Sequence, residues 1–126
     1  MRVNDILSAS LALMGEDADA AGGWQAQFTG VLNLLLAELT DAENSVRLAA
    51  GQPEMDAIPT VYSLADTVPY CEAICRRVLP FGAAGTLLAE DNPSLSSQYK
   101  NKYEYEKANA YKVAYTKIKD MAGEEE

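Results

Sequence analysis

Apolar side chains recur every three or four residues through most of the chain, which is the spacing of an amphipathic α-helix. This pattern predicts a first helix over about residues 2–14 and a longer second helix over about residues 23–50. The first would end at Gly15 and the second at Gly51, since glycine readily adopts the left-handed backbone that terminates helices. Gly30 inside the second helix costs about 1 kcal/mol relative to alanine, and we expect the periodicity to outweigh it.

Residues 52–68 show no sustained hydrophobic period and contain Pro53 and Pro59. We therefore predict a long irregular segment that crosses the molecule between the second and third helices. A short strand at residues 60–63 has only weak support in the pattern. The apolar side chains expected to hold this segment against the core are Ile58, Val61, Tyr62 and Leu64.

A third helix is predicted from Pro69 to about Glu90, and apolar side chains surround it almost completely, which is typical of a central helix. Pro69 suits the first helical position because its missing N–H would have no partner there. Pro80 must kink the helix, since it lacks an N–H and its ring clashes with the preceding turn. Around Gly82 and Gly85 the side chains are so small that another backbone can approach closely.

A fourth helix is predicted from Pro93, with Asn92 as its cap, to about Met121. One arc of this helix collects Tyr99, Tyr103, Ala110, Tyr111, Ala114, Tyr115, Ile118 and Met121. The whole pattern predicts an all-α fold. We expect a four-helix bundle-like domain over residues 1–122, with the irregular crossover between helices 2 and 3, and an acidic disordered tail over residues 123–126.

The composition is that of a globular protein, with 48% hydrophobic and 23% charged residues in a chain of 126. A chain of this length buries roughly two thirds of its unfolded surface, so it needs neither a metal nor a disulfide to fold. The net charge is −9, and residues 1–99 hold 13 acids against four bases. Such a surface repels phosphates, which argues against specific DNA or RNA recognition. Two interpretations stay open: a plain acidic soluble protein, and a surface that lies near DNA without binding to it.

The first residues do not have the features of a signal peptide. Residues 1–14 are apolar but contain Asp5, and they lack the order of charged, apolar and small residues. No apolar run approaches the roughly 20 residues of a membrane span. We therefore expect a cytoplasmic protein, or part of an assembled particle, with no membrane partner.

Candidate chemistry is limited because the chain contains no histidine. Ser–His and Cys–His catalytic pairs are therefore excluded, and a tetrahedral zinc site has little support. Cys71 and Cys75 share one face of a helix, where a disulfide fits poorly, so we expect free cysteines that act as small apolar side chains. The acid pairs interpreted as solvated are Asp17 with Asp19, Glu104 with Glu106, and Glu90 with Asp91. We predict a non-enzymatic protein without catalytic, metal or cofactor residues and without a small-molecule substrate.

The tyrosine-bearing face of the last helix is the candidate interaction surface. Lys100 and Lys107 lie within this face, which is unusual for a purely internal contact, and tyrosine combines an apolar ring with a polar tip that suits interfaces. The alternative is that the tyrosines cap the domain's own core. The predicted oligomer or partner interface consists of Tyr99, Tyr103, Lys107, Tyr111 and Tyr115, with the exposed flank of the second helix as a further contact surface.

The order of the sequence features resembles the head–tail connector (adaptor) proteins of tailed bacteriophages and prophages. The segments that carry the resemblance are LALMGE, LNLLLAEL and RRVLPFGAAGTLLAEDNPSLSSQYKNKYE. Connector proteins show an apolar-Pro-aromatic-Gly element, acidic residues, and a helix with an aromatic residue four positions before Tyr-Glu. The matching positions here are Leu79-Pro80-Phe81-Gly82-Ala83-Ala84, Glu90-Asp91-Asn92, and Tyr99 with Tyr103-Glu104, within a similarity from about Val3 to Ala110.

The resemblance implies an all-helical subunit of a homo-oligomeric ring, usually a dodecamer, below the portal protein. Such a ring extends the DNA channel, lies close to DNA without specific binding, and docks a neck or tail-completion protein. The expected location is the virion neck, and the host cytoplasm before assembly, where the free chain can be monomeric. Many relatives carry a longer C-terminal segment that reaches the portal, whereas this sequence ends at Gly123 and three glutamates.

Two other functions stay open on the sequence alone. One is a small acidic helical module that binds a single partner helix and has no phage role. The other is a thiol enzyme that uses the two cysteines. The first predicts binding at a one-to-one ratio without rings, and the second predicts an activity that disappears when both cysteines are replaced by serine.

Overall fold

The computed structural model describes the backbone of residues 1–124 and the side chains of residues 1–120 other than those of Ala18 and Ala21. These residues form an all-α fold with five α-helices: α1 (Val3–Met14), α2 (Ala21–Glu38), α3 (Thr40–Ala49), α4 (Leu79–Leu87) and α5 (Pro93–Glu124). A 3₁₀ turn (Ala18–Ala20) precedes α2, and a π-helical segment (Ile74–Val78) leads into α4. The first helix is confirmed, with Gly15 at its end in the left-handed conformation (φ 74°).

The predicted second helix is in fact two helices, which corrects the number from four to five. Gly30 does not interrupt α2, as expected, but the helix breaks at Leu39. Near this break the carbonyl of Leu36 accepts hydrogen bonds from the Thr40 hydroxyl at 3.0 Å and the Tyr70 hydroxyl at 2.5 Å. Side chains that insert into the helical hydrogen-bond ladder are a known cause of bends.

The predicted third helix begins later than Pro69, because its first residues are held by side chains of α3. Arg47 donates to the Pro69 carbonyl at 2.8 Å, and Glu43 accepts the Cys71 N–H at 2.6 Å. The expected disturbance at Pro80 takes the form of a wide helical turn rather than a simple kink. The N–H of Leu79 donates five residues back, to Ile74, as in a π-helix. Helix α4 then ends at Leu87, before the predicted end.

The irregular segment between α3 and the π-helical segment is confirmed, and no strand forms in it among the described residues. Asn33 binds both backbone groups of Val61, donating to its carbonyl at 2.9 Å and accepting its N–H at 2.8 Å. Val61 is buried and Leu64 half-buried against the core, as predicted. The prediction was wrong for Ile58 and Tyr62, which are 53% and 83% exposed.

The end of this segment also completes the first turn of α1. The N–H groups of Val3 and Asn4 donate to the carbonyls of Asp66 and Leu64, both at 2.9 Å. A helix leaves its first N–H groups without intrahelical partners, so these bonds supply what α1 lacks locally. At the other end of α1, the carbonyl of Leu13 accepts the hydroxyl of Tyr99 at 2.6 Å.

Helix α4 is the centre of the molecule and contacts α1, α2 and α5. The predicted close approach at its glycines is confirmed. A Cβ atom at Gly82 would lie 2.8 Å from the Tyr103 ring, and one at Gly85 would lie 3.2 Å from the backbone nitrogen of Lys100. The buried core of the described residues includes Val3, Ile6, Leu7, Leu11, Phe28, Leu32, Leu35, Leu36, Ile74, Val78 and Tyr103, together with Leu79 and Ala83 of α4.

Helix α5 is continuous from Pro93 to Glu124, so it extends beyond the predicted end at Met121. It packs against α4 and the π-helical segment, and further along against α3. The last two residues of the predicted acidic tail, 125–126, lie outside the described residues.

Candidate functional site

The five predicted interface residues do not share one environment. Tyr103 is only 5% exposed, lies against Gly82 and donates its hydroxyl to Glu38 at 3.0 Å. Burial, and then the hydrogen bond to the Glu38 carboxylate, raises the pKa of Tyr103. Tyr99 is half-buried and tied to Leu13 through its hydroxyl. The N-terminal part of the tyrosine face therefore packs on the chain's own core.

Lys107 and Tyr111 lie at the transition from this packed part to the exposed part of α5. Lys107 is half-buried, with its ammonium 3.1 Å from the Glu104 carboxylate and 5.2 Å from the centre of the Tyr103 ring. Tyr111 is 37% exposed. Burial, and then the nearby charge of Asp41 on α3, raises the pKa of Tyr111.

Beyond this point α5 carries large side chains in solvent. Tyr115 is 67% exposed and Ile118 is 42% exposed, whereas Ala114 is buried on the side toward the body. We call the surface formed by Tyr111, Lys112, Tyr115, Ile118 and Lys119 the α5 tip. These residues are neighbours because side chains three or four positions apart lie together on a helix. Ile118 lay in the predicted arc, and the structure adds it and the two lysines to the exposed surface.

A cavity of about 430 Å³ lies at the opposite end of α5, between the first turns of α2 and the end of α4. Trp24, Val31 and Leu87 form its apolar part and are half-buried against the core, while Glu90 and Asp91 stand exposed on its rim. We call it the α2–α4 cavity. Sequence reasoning missed it, since Trp24 fits the apolar stripe of α2 and nothing in the pattern separates a core residue from a cavity wall.

A smaller apolar groove of about 170 Å³ lies on the other flank of α5. Val46 of α3, Val78 of the π-helical segment and Ala110 and Val113 of α5 line it, and Val113 is 49% exposed. Arg77 and Lys117 also line this groove.

Glu43 is a buried carboxylate that sequence reasoning did not identify. It is 1% exposed, its Oε1 accepts the Cys71 N–H, and its Oε2 lies 3.5 Å from Nε of Arg47. Oε2 has no hydrogen-bond partner within the described part of the chain. A signal was available, because Glu43 stands four residues after Leu39 and three before Val46, which is the spacing of the buried stripe.

The cysteines are free, as predicted, with Cys75 buried and Cys71 half-buried. Burial raises the pKa of the Cys75 thiol to about 11, and it also raises the pKa of Cys71. Both thiols therefore stay protonated near neutral pH, and reactive cysteines require the thiolate.

Among the described side chains, which end at residue 120, no group of three or more acidic, histidine or cysteine residues is arranged to hold a metal ion. None of the helices in the described backbone combines the length and apolarity needed to cross a membrane. Comparison with family models, with curated proteins and with solved structures gives no match for this chain.

Proposed function

We propose that this chain is a structural subunit of a head–tail connector (adaptor) ring in a tailed phage or prophage. In this function the ring lies below the portal protein in the virion neck, extends the DNA channel and docks a neck or tail-completion protein. The chain acts through its contacts with other proteins and carries out no reaction.

The exposed C-terminal half of α5 is the observation that carries this proposal. A helix of 32 residues packs its first half on the core and presents Tyr115, Ile118 and Val113 to solvent in its second half. Tyr115 and Ile118 lie three positions apart on one face, and a contiguous exposed apolar patch of this kind marks a protein–protein contact site. The order of the sequence motifs, which resembles that of connector proteins, supports the interpretation of this surface as a contact within a connector ring.

The charge distribution supports the same function. Residues 1–99 hold 13 acids and four bases, whereas six lysines follow from Lys100 onward. An acidic body repels DNA phosphates, so DNA can slide past a ring of such subunits without adhering to it. Lys112 and Lys119 of α5 form no ion pair among the described residues and remain available for contacts with acidic protein surfaces.

The test is electron microscopy of the purified chain mixed with the portal protein encoded near its gene. We expect neighbouring genes for a portal and a major capsid protein, and closed rings of this chain on one face of the portal complex. A chain that stays monomeric on the portal complex contradicts the proposal.

The groove on the second flank of α5 favours one alternative, a small acidic module that binds a single partner helix. Its lining by Val46, Val78 and Val113 is apolar, as grooves that receive an amphipathic helix are. This function predicts a one-to-one complex with a partner from the same genome and no ring under any condition.

A further inference from the structure

We propose that the α2–α4 cavity of one copy receives the α5 tip of a second copy in a head-to-tail contact. This contact deepens the proposed function and rests on it for its biological role, since it names the two surfaces through which neighbouring subunits of a ring would meet. The two surfaces are chemically complementary and lie at opposite ends of α5.

The cavity combines apolar, polar and acidic side chains. Trp24, Val31 and Leu87 supply its apolar part, Gln27 and Thr86 add uncharged polar groups, and the exposed Glu90 and Asp91 add two carboxylates. Three further exposed acids, Glu16, Asp17 and Asp19, directly precede α2, whose first turns form one wall. No basic residue occurs between Arg2 and Arg47 or between Arg77 and Lys100.

The α5 tip has the opposite character, with apolar side chains flanked by lysines. Tyr115 and Ile118 supply exposed apolar surface, and Lys112 and Lys119 lie three and four positions from Tyr115 along the helix. Neither lysine forms an ion pair among the described residues. Apolar groups entering the cavity would bring these ammonium groups to its carboxylate rim, and such complementarity guides association and selects the partner.

The occupant must come from another molecule. Helix α5 starts at Pro93, next to the rim residue Asp91, and Tyr115 lies roughly 33 Å further along the axis at about 1.5 Å per residue. The tip of a continuous helix therefore cannot fold back into the cavity of its own chain. Each copy carries one α5 tip and one α2–α4 cavity, so it can contact two neighbours. Repeating this contact produces a closed ring or an open filament.

Charge reversal of each surface tests the contact. The tip variant is Lys112→Glu with Lys119→Glu, and the cavity variant is Glu90→Lys with Asp91→Lys. All four side chains are exposed, so both variants should fold, which circular dichroism and the urea midpoint check. At low ionic strength, sedimentation equilibrium should show a dissociation constant at least about tenfold higher for either variant than for the natural chain.

Mixing the two variants is the decisive measurement. The reversed tip of one variant then faces the reversed cavity of the other, and the two natural surfaces also face each other. We expect the mixture to recover association to within about threefold of the natural chain, which is below 1 kcal/mol. A mixture that associates no better than either variant alone overturns the proposal.

The controls use charges away from both surfaces. Glu54→Lys with Asp56→Lys reverses two exposed acids in the crossover, and Lys117→Glu reverses a lysine on the other flank of α5. Neither control should change association by more than about twofold. A natural chain that stays monomeric up to about 1 mM overturns the contact, as does a foreign protein found to occupy the cavity instead.

Microscopy on portal complexes separates this inference from the proposed function. If the tip variant forms the same rings as the natural chain, the contact is wrong and the connector function stands. If the charge-reversed pair associates as expected but no ring forms on the portal, the contact stands and the connector function is wrong.

Discussion

At the scale of single residues, Gly82 shows how closely α4 and α5 approach each other. A Cβ at this position would meet two carbon atoms of the Tyr103 ring at 2.8 and 3.0 Å and a methyl group of Leu35 at 3.1 Å. The ring cannot easily retreat, since its hydroxyl is bonded to Glu38. The absence of a side chain at Gly82 therefore decides how α4 and α5 pack.

We expect Gly82→Ala to lower the free energy of unfolding by about 1–3 kcal/mol, the usual cost of overpacking a core. Gly30→Ala is the matched control, because a Cβ there meets nothing within 4 Å in an otherwise regular helix. That control should raise the free energy of unfolding by about 0.4–1 kcal/mol. Urea denaturation measures both, and equal effects of the two substitutions would contradict the packing argument.

Cys75 makes stability depend on pH in the alkaline range. Burial raises its pKa to about 11, from 9.0 for an unperturbed thiol. Above pH 9 the thiol loses its proton in the unfolded chain but keeps it in the folded chain. The contribution of the protonated thiol to the free energy of unfolding is therefore fully present below pH 9 and is lost as the pH rises to 11. Linkage puts the loss at roughly 2–3 kcal/mol for a shift of this size.

Urea midpoints measured across this range, under reducing conditions, should therefore fall for the natural chain and fall less for Cys75→Ala. Cys71→Ala is the comparison, and because Cys71 is only half-buried, most of the fall should remain in that variant. If the urea midpoint of Cys75→Ala falls as much at alkaline pH as that of the natural chain, other groups cause the fall, and the buried Tyr103 is the first candidate.

Single residues also show what the sequence can and cannot predict. The small side chains at Gly82 and Gly85 predicted the close approach of another backbone, which occurs at Gly85, whereas Gly82 meets the ring of Tyr103. The burial of Glu43 was missed, because its cost is offset by distant groups, the N–H of Cys71 and the guanidinium of Arg47. Sequence periodicity places a residue on a face but does not say which partner that face will meet.

At the scale of elements, the break between α2 and α3 depends on one carbonyl. Leu36 accepts hydroxyl groups from Thr40, on the next turn, and from Tyr70, after the crossover. The hydrophobic period runs through this break without interruption, so the pattern predicted a single long helix. The π-helical segment before Pro80 was equally hidden, since periodicity does not record an extra residue in one turn.

We expect Tyr70→Phe to destabilise the fold by about 1 kcal/mol, the typical value of one intramolecular hydrogen bond. Thr40→Val removes the other hydroxyl at similar cost. The double variant should lose more than the two costs together, by about 0.5 kcal/mol or more, because the Leu36 carbonyl then has neither donor. A double-mutant cycle in urea gives this coupling, and strict additivity would show that the two hydroxyls act independently.

At the scale of the whole molecule, the two halves of α5 differ in environment, since the first half packs on the core and the second half is largely exposed. Tyr103 belongs to the core, whereas Tyr115 and Ile118 stand in solvent. The sequence grouped all these residues in one arc, since the period is the same along the helix. It could not show where the body of the protein ends and the helix continues alone.

Tyr115→Ser with Ile118→Ser should therefore change the free energy of unfolding by less than about 0.5 kcal/mol, as exposed substitutions usually do. The same variant should weaken self-association in sedimentation equilibrium. Leu34→Ser is the matched control, because Leu34 is also 67% exposed but lies on α2. Loss of association in the Leu34 variant alone would move the contact to the flank of the second helix.

The bonds at both ends of α1 bear on how the protein is made. The chain is synthesised from its N-terminus, so Val3–Met14 leaves the ribosome first. The hydrogen bonds of its first turn to Leu64 and Asp66, and of its last turn to Tyr99, can form only after those residues have been translated. A nascent chain stalled before Tyr99 should leave this segment only partly ordered, with Ile6, Leu7 and Leu11 open to chaperones. We expect α1 to become fully ordered only after Tyr99 has been translated.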